Sequence, residues 1–261
     1  MHSNKVYANN MGFNPKNKIC LVTGGSSGIG LALVNELFNR KAAKVINIDI
    51  KKNDTSKADY FFADVGEQKD MTMVLDKIYK KYERLDLICC NAGIAADDDA
   101  FASESHWKSI IKTNLLQHTI LVRYCVPKML CRNKGWFLIT ASAAGLLSQV
   151  GSATYSTTKH ATVGYAEWLA ITYGEKNIGV SLLCPQGVST AMTENLKNGG
   201  VAGIDGMLEA KEVASITLDA MKKGKFLITP HQAVRKYIKI KAGDTDRWIL
   251  GMRKLYNKYV T

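Results

Sequence analysis

The stretch Ile19-Cys20-Leu21-Val22-Thr23-Gly24-Gly25-Ser26-Ser27-Gly28-Ile29-Gly30 decides how this chain is read, because an apolar run breaks there into closely spaced glycines. A short apolar run that stops at glycine reads as an internal parallel strand covered on both faces, not as an alternating edge strand. Ile29, Leu31, Leu33, Val34, Leu37 and Phe38 then recur at helical spacing, so the glycines stand at a helix N-terminus. Unpaired N–H groups and the helix dipole favour an anion at such a place, and the missing Cβ lets a pyrophosphate approach closely. A second apolar run, Lys44 to Ile50, carries Asp49 nineteen residues after Gly30. That is near the roughly 20-residue offset at which an acidic side chain meets a ribose diol. Together the two features predict a dinucleotide site.

The same rhythm continues along the chain. Tyr60–Val65 reads as a third strand ending in Asp64, Glu67–Tyr82 as a helix, and Leu85–Cys90 as a fourth strand running into Asn91-Ala92-Gly93. Asp97, Asp98 and Asp99 read as a solvated loop before a helix capped by Ser103 or Ser105. His106–Cys131 is a long helical pattern holding Asn114, with Pro127 a candidate kink, and Trp136–Thr140 is a strand leading to Ser142. A helix from near Tyr155 to about Tyr173, a strand from Ile178 to Cys184, a helix over Glu209–Lys222 and a last strand over Lys225–Thr229 complete the alternation. This order predicts an α/β fold, a single-domain Rossmann-like doubly wound parallel sheet with helices on both faces. Residues 1–17 read as a flexible lead-in, 18–230 as the domain with a glycine-rich lid at about 187–208, and 231–261 as a helical, basic, aromatic tail. Gly24, Asp49, Asp64 and Asn91, all at strand ends, should meet in one crevice.

Composition narrows the function classes. The 261 residues are 46% hydrophobic and 22% charged with four prolines, which excludes collagen, disorder and a disulfide miniprotein. No apolar run is long enough for a membrane helix and residues 1–18 lack the apolar centre of a secretory signal, so a cytoplasmic protein is expected. Six cysteines lack the paired short spacing of a zinc or redox site, and the five histidines form no two-histidine ligand motif, so no metal is assigned. The net charge of +12 is scattered and no nucleic-acid motif accompanies it, which reads as a solvated basic surface.

Tyr155 and Lys159, four apart, share one helix face. A phenol is a poor base at neutral pH, and an ammonium beside it, with an oxidised nicotinamide, favours the phenolate. With Thr23-Gly24-x-x-x-Gly28-Ile29-Gly30, Asp64-Val65, Asn91-Ala92-Gly93, Asn114, Ser142 and Tyr155-x-x-x-Lys159 in this order, the chain resembles the short-chain dehydrogenase/reductase family over about Lys18 to Thr190. The resemblance implies that Tyr155 is the acid/base, that Lys159 binds the nicotinamide ribose and lowers the tyrosine pKa, that Ser142 holds the substrate oxygen, and that Asn114 supports a proton-relay water. It implies a cofactor cleft of Gly24, Ser26, Ser27, Gly28, Ile29, Gly30, Asp49, Asp64, Val65, Asn91, Ala92 and Gly93, closed by Pro185, Val188 and Thr190. It also implies a homodimer or homotetramer built on the helices of Asn114 and Tyr155.

Asp49 would accept from both ribose hydroxyls and repel a 2′-phosphate, so NAD is expected over NADP. The expected reaction interconverts a secondary alcohol and a ketone. Leu146, Leu147, Val150, Met192 and Leu196 suggest an apolar substrate, with Gln149 and Gln186 as polar readers. Two features depart from the family: Gln186 follows Pro185 where glycine is usual, and the basic tail replaces the usual glycine-rich ending. The competing readings are an NADP-linked carbonyl reductase and a catalytically idle dinucleotide-binding regulator or scaffold, for which the set Asn114, Ser142, Tyr155 and Lys159 would have no use.

Overall fold

All five side chains of β1 (Ile19–Thr23) are buried, as befits a parallel strand with both faces covered. The computed structural model describes residues 12–260. In chain order β1 is followed by α1 (Gly28–Asn39), β2 (Lys44–Asp49), β3 (Asp59–Phe62), α2 (Gln68–Tyr82) and β4 (Leu87–Cys90). Next come α3 (Glu104–Ile111), a π-helical turn (Lys112–Leu116) and α4 (Gln117–Cys131), which run on continuously, then β5 (Gly135–Thr140), α5 (Ala144–Leu147), α6 (Ala153–Tyr173) and β6 (Ile178–Leu183). The chain ends with β7 (Val188–Ser189), β8 (Leu208–Glu209), α7 (Ala210–Lys222), β9 (Leu227–Ile228), α8 (Gln232–Gly243) and α9 (Thr245–Tyr259).

Seven strands form one sheet in the order β3-β2-β1-β4-β5-β6-β9, and every pairing in it is parallel. This is the doubly wound order, with strand direction of travel reversing between β1 and β4. On one face Met71, Leu75 and Ile78 of α2, Leu121 and Cys125 of α4, and Ala166 and Leu169 of α6 pack into one apolar cluster with the sheet. On the other, Leu33, Val34 and Leu37 of α1 meet Val213, Leu218 and Met221 of α7. The fold expected from the alternation is the fold observed. At the opposite end from the site, Asp86 accepts from the Ile19 N–H (3.0 Å) and from Arg132 (2.9 Å), which fixes β1 against its neighbours.

Several details differ from the sequence reading. The break in the helix at 104–131 is the π turn at Asn114, and Pro127 sits inside α4. Third-strand pairing stops at Phe62, so Asp64 lies just beyond the strand. Of the expected lead-in, residues 1–11 lie outside the described residues, while Phe13 is buried against Trp136 with ring centroids 5.9 Å apart. The tail is two helices: Val234 of α8 is buried against Ala143, which precedes α5, and Leu147 of α5, with Tyr237 and Trp248 in the same cluster. The glycine-rich segment expected as a lid, 187–208, is closed at its base by β7 pairing with β8. The acidic run is not all solvated, because the Asp98 carboxylate is buried.

Five of the six cysteines are buried, Cys131 is exposed, and all six are free thiols. Among the described residues no helix is long and apolar enough to cross a membrane.

Candidate active site

The C-terminal ends of β1, β2, β4, β5 and β6 open onto a cleft of about 570 Å³, where the reversal of strand order leaves room for a ligand. Glycine shapes its floor. Gly24 and Gly28 have φ of +67° and +51°, and a Cβ on Gly30 would lie 2.0 Å from the Gly24 carbonyl oxygen. Ser27 begins α1 without capping it and the first turn has no acidic residue, so the helix amides face the cleft as donors for an anion.

Asp49 stands at the end of β2, where its carboxylate accepts from the N–H groups of Ser26 (3.0 Å) and Lys51 (3.1 Å). A carboxylate offers about four acceptor sites, so capacity remains for a diol. Lys52 is turned to Asp54 at 2.8 Å and does not pair with Asp49. Asp64, Val65, Asn91, Ala92 and Gly93 line the next part of the cleft, and Pro185, Val188 and Thr190 line its far wall. Two expected cofactor residues do not line it: Ser26 braces Asp49 from behind, and Gly30 is occupied by close backbone packing.

The floor is held by buried polar side chains that the sequence reading missed. Thr23 Oγ1 accepts from the N–H groups of Asn91 (2.9 Å) and Ala92 (3.1 Å) and donates to Gln117 Oε1 (3.0 Å). Gln117 is buried and its amide also donates to the Ala92 carbonyl. Its position directly after the π turn carries no local signal of this role.

Ser142, Tyr155 and Lys159 come together at the inner end of the cleft. Lys159 is buried, its Nζ donates to the Thr140 carbonyl (3.3 Å) and stands 5.5 Å from the Tyr155 ring centroid. Burial pushes its ammonium down to about 8. Burial also raises the Tyr155 phenol above its ordinary value; the Ser142 hydroxyl facing it acts in the opposite direction and the Cys184 thiol adds to the rise. The sequence reading expected the phenol to be lowered by Lys159. In this structure burial disfavours both charged forms.

Asn114 does not line the cleft. Its Oδ1 accepts from the Ile94 N–H and its Nδ2 donates to the Ile94 carbonyl, both at 2.9 Å, while its own carbonyl accepts from Thr162 Oγ1 (3.0 Å). The side chain ties the loop after β4 to α6, because Nδ2 also donates to Thr158 Oγ1 (3.3 Å). One turn on, His118 is buried, and burial together with the Lys159 charge pushes it down to about 3, so it stays neutral.

Helix α6, which carries Tyr155 and Lys159, is capped from a distance. Its N-cap Ser152 makes no side-chain cap, and Asp98 takes the role by accepting from the Thr154 N–H (3.1 Å) and hydroxyl. His106 Nε2 lies 3.0 Å from the same carboxylate.

Gln149, Gln186 and Met192 line the cleft. Gln186 has a further engagement, because its Nε2 donates to Asp205 of the glycine-rich segment between β7 and β8 (2.8 Å), which also accepts from Tyr237 of α8 (3.0 Å). Leu196 lines the cleft too, whereas Leu146 packs into the core and against α8, away from it. Among the described residues no cluster of His, Cys, Asp and Glu is arranged to hold a metal ion.

This cleft fits a dinucleotide: helix amides for an anion, a carboxylate for a diol, and a phenol, hydroxyl and ammonium at the inner end. Comparison with known proteins agrees with the geometry. The family model described as short chain dehydrogenase matches residues 18–199. A 3-oxoacyl-[acyl-carrier-protein] reductase FabG of Thermotoga maritima is 30% identical over 191 residues, covering 69% of this chain and 77% of that protein. A 1-deoxy-11-beta-hydroxypentalenate dehydrogenase of Streptomyces exfoliatus is 27% identical over 246 residues, with 88% of each covered. A short chain dehydrogenase/reductase from Burkholderia phymatum, solved in complex with NAD, superposes with a TM-score of 0.79 at 25% identity, covering 90% of this chain and 96% of that one.

Proposed function

Because the chain belongs to the short chain dehydrogenase family of oxidoreductases, we propose that it is an NAD-dependent enzyme interconverting a secondary alcohol and a ketone, with Tyr155 as the acid/base. The observation that carries this reading is the convergence of Ser142, Tyr155 and Lys159 at one end of a cleft whose other end has Asp49 and the uncapped α1 N-terminus. A bound nicotinamide supplies the acceptor or donor of the hydride.

The protein's part is binding, orientation and the proton. Ser142 Oγ donates to the substrate oxygen and stabilises alkoxide character on it. Tyr155 Oη takes the proton from that oxygen during oxidation and returns it during reduction. Lys159, on the same face of α6, holds ribose hydroxyls and favours the phenolate. Asn114 acts as a positioning residue through Ile94. Asp49 favours NAD because a 2′-phosphate beside its carboxylate would meet like charge.

The test is nicotinamide absorbance with the purified protein, with NAD and NADP run in parallel against apolar secondary alcohols and ketones. The expected result is turnover with NAD that falls by about 10²–10⁴-fold in Tyr155→Phe. Full turnover in that variant would overturn the assignment, and a preference for NADP would replace the cofactor.

We also propose a homo-oligomer through α6. Thr157, Ala161, Gly164, Trp168 and Ile171 recur at helical spacing and all are exposed, with Ile171 at 82%. A monomer by light scattering, or an oligomer unaffected by Trp168→Glu, would refute this.

A further inference from the structure

Beyond the cofactor cleft lies a second cavity of about 360 Å³, which begins at Ser142 and shares Ser142, Gln149, Gln186 and Ala202 with the first. Its walls are α5, the lid and the tail helices, with Leu147, Val201, Ile240, Trp248, Met252 and Leu255 among its lining. The volume suits a drug-sized ligand. From α9 the wall takes Arg247, Trp248, Gly251, Met252 and Leu255, a single helical stripe about 12 Å long. Two lining residues, Ile204 and Ile240, are each 45% exposed, which leaves apolar surface facing the cavity.

The cavity is held together by contacts that serve no catalytic step. Asp205 of the lid is gripped by Gln186 and by Tyr237, and the Tyr237 ring lies 6.0 Å from that of Trp248. Lid, strand end and tail therefore enclose one apolar space next to the reacting residues. Among the described lining residues only Arg247 is charged, and it takes part in none of the ion pairs among the described residues. It stands at the first turn of α9, at one end of the stripe. A guanidinium at the end of an apolar wall is suited to a carboxylate or phosphate end group, and the net charge of +12 draws anions toward the protein.

Resting on the oxidoreductase reading above, we propose that the substrate is an elongated amphipathic carbonyl compound or alcohol, apolar along its body and anionic at its far end. The α8–α9 tail is its binding wall and Arg247 its anion reader. Gln186 then sets specificity indirectly, by holding the lid over the body of the ligand.

Binding alone tests this, with dodecanoate and dodecanol as probes and calorimetry on the full-length protein. Dodecanoate should bind saturably and about tenfold or more tightly than dodecanol, a difference of roughly 1.4 kcal/mol. Arg247→Ala should abolish that preference and leave dodecanol binding unchanged. Gly251→Trp should weaken both, and it should fold, because a Cβ at Gly251 meets open space; an unchanged Tm for this variant checks that. Equal binding of the two probes, no binding of either, or binding indifferent to Gly251→Trp overturns the proposal. The oxidoreductase reading fails separately, by loss of nicotinamide-linked turnover while dodecanoate binding persists.

Discussion

Asn114 and Ile94 hold each other through a reciprocal pair of hydrogen bonds, each 2.9 Å, across twenty residues of sequence. The pair joins the π turn between α3 and α4 to the loop that follows Asn91-Ala92-Gly93 in the cofactor cleft. A π turn inserts an extra residue into helical geometry and is frequent at functional sites. Here Asn114, at its centre, is fully buried with its amide against the loop.

Replacing Asn114 by alanine should therefore act on the loop first. Both Ile94 backbone groups lose their partner, at a cost of about 1–3 kcal/mol. The expected outcome is a Tm lower by several degrees, weaker nucleotide binding by fluorescence titration, and a lower kcat. Asn114→Asp keeps the acceptor for the Ile94 N–H and should fall between. A loss of kcat with Tm and nucleotide affinity both intact would mean that Asn114 acts in the chemistry itself.

Asp98 should prove a structural requirement of α6. It caps α6 one residue before Tyr155, and Asp98→Ala should cost about 1–2 kcal/mol as cap removals do. Burial opposes its charge, but the Thr154 hydroxyl, the Thr154 and Ala153 N–H groups and His106 together hold its carboxyl below the usual range. A depressed folded pKa gives stability that is present above the unfolded value and lost as pH falls through the folded one. Wild type should thus lose its advantage over Asp98→Ala in acid, below about pH 4, as read by thermal denaturation.

These two residues also mark where the sequence was legible and where it was not. The strands could be read because a parallel strand buried on both faces is a continuous apolar run, as in Ile19–Thr23. Tyr155 and Lys159 could be paired because helical spacing is local. Asp98 sits in a run of three aspartates and its partner Thr154 is 56 residues away, so local composition pointed to solvent. Gln117 was hidden for the same reason, with its partner Thr23 at a separation of 94. The division of the tail did have a signal: Gly243 ends α8, and Asp244 accepts from the Arg247 N–H (2.9 Å) as the cap of α9. That the tail walls a cavity depends on Val234 docking against α5, which no spacing encodes.

Asp49 should govern cofactor choice. In Asp49→Asn the side chain keeps its size and loses its charge, so the repulsion of a 2′-phosphate goes. The NADP to NAD ratio of kcat/KM should rise by about tenfold, roughly 1.4 kcal/mol. Steady-state kinetics with both nucleotides read this directly, and an unchanged ratio would remove Asp49 from nucleotide selection.

Lys159 should leave a signature in the pH dependence of stability, measured on protein without added nucleotide. Its ammonium is pushed down to about 8 by burial, whereas an unfolded lysine titrates near 10.4. Below about pH 8 both states carry the proton and the cost of burying the charge is felt in full. Between about pH 8 and 10 the unfolded chain holds a proton that the folded protein has released, so stability must rise with pH, by about 1.4 kcal/mol per unit at most. The raised Tyr155 phenol adds the opposite slope only above about pH 10, and the buried thiols cancel when two variants are compared. Wild type should therefore gain on Lys159→Met by about 2–4 °C in Tm per pH unit over this window. A difference that is flat, or that shrinks as pH rises, would mean that Lys159 is solvated or ion-paired in the folded protein, and with it the desolvated setting assigned to Tyr155 would go.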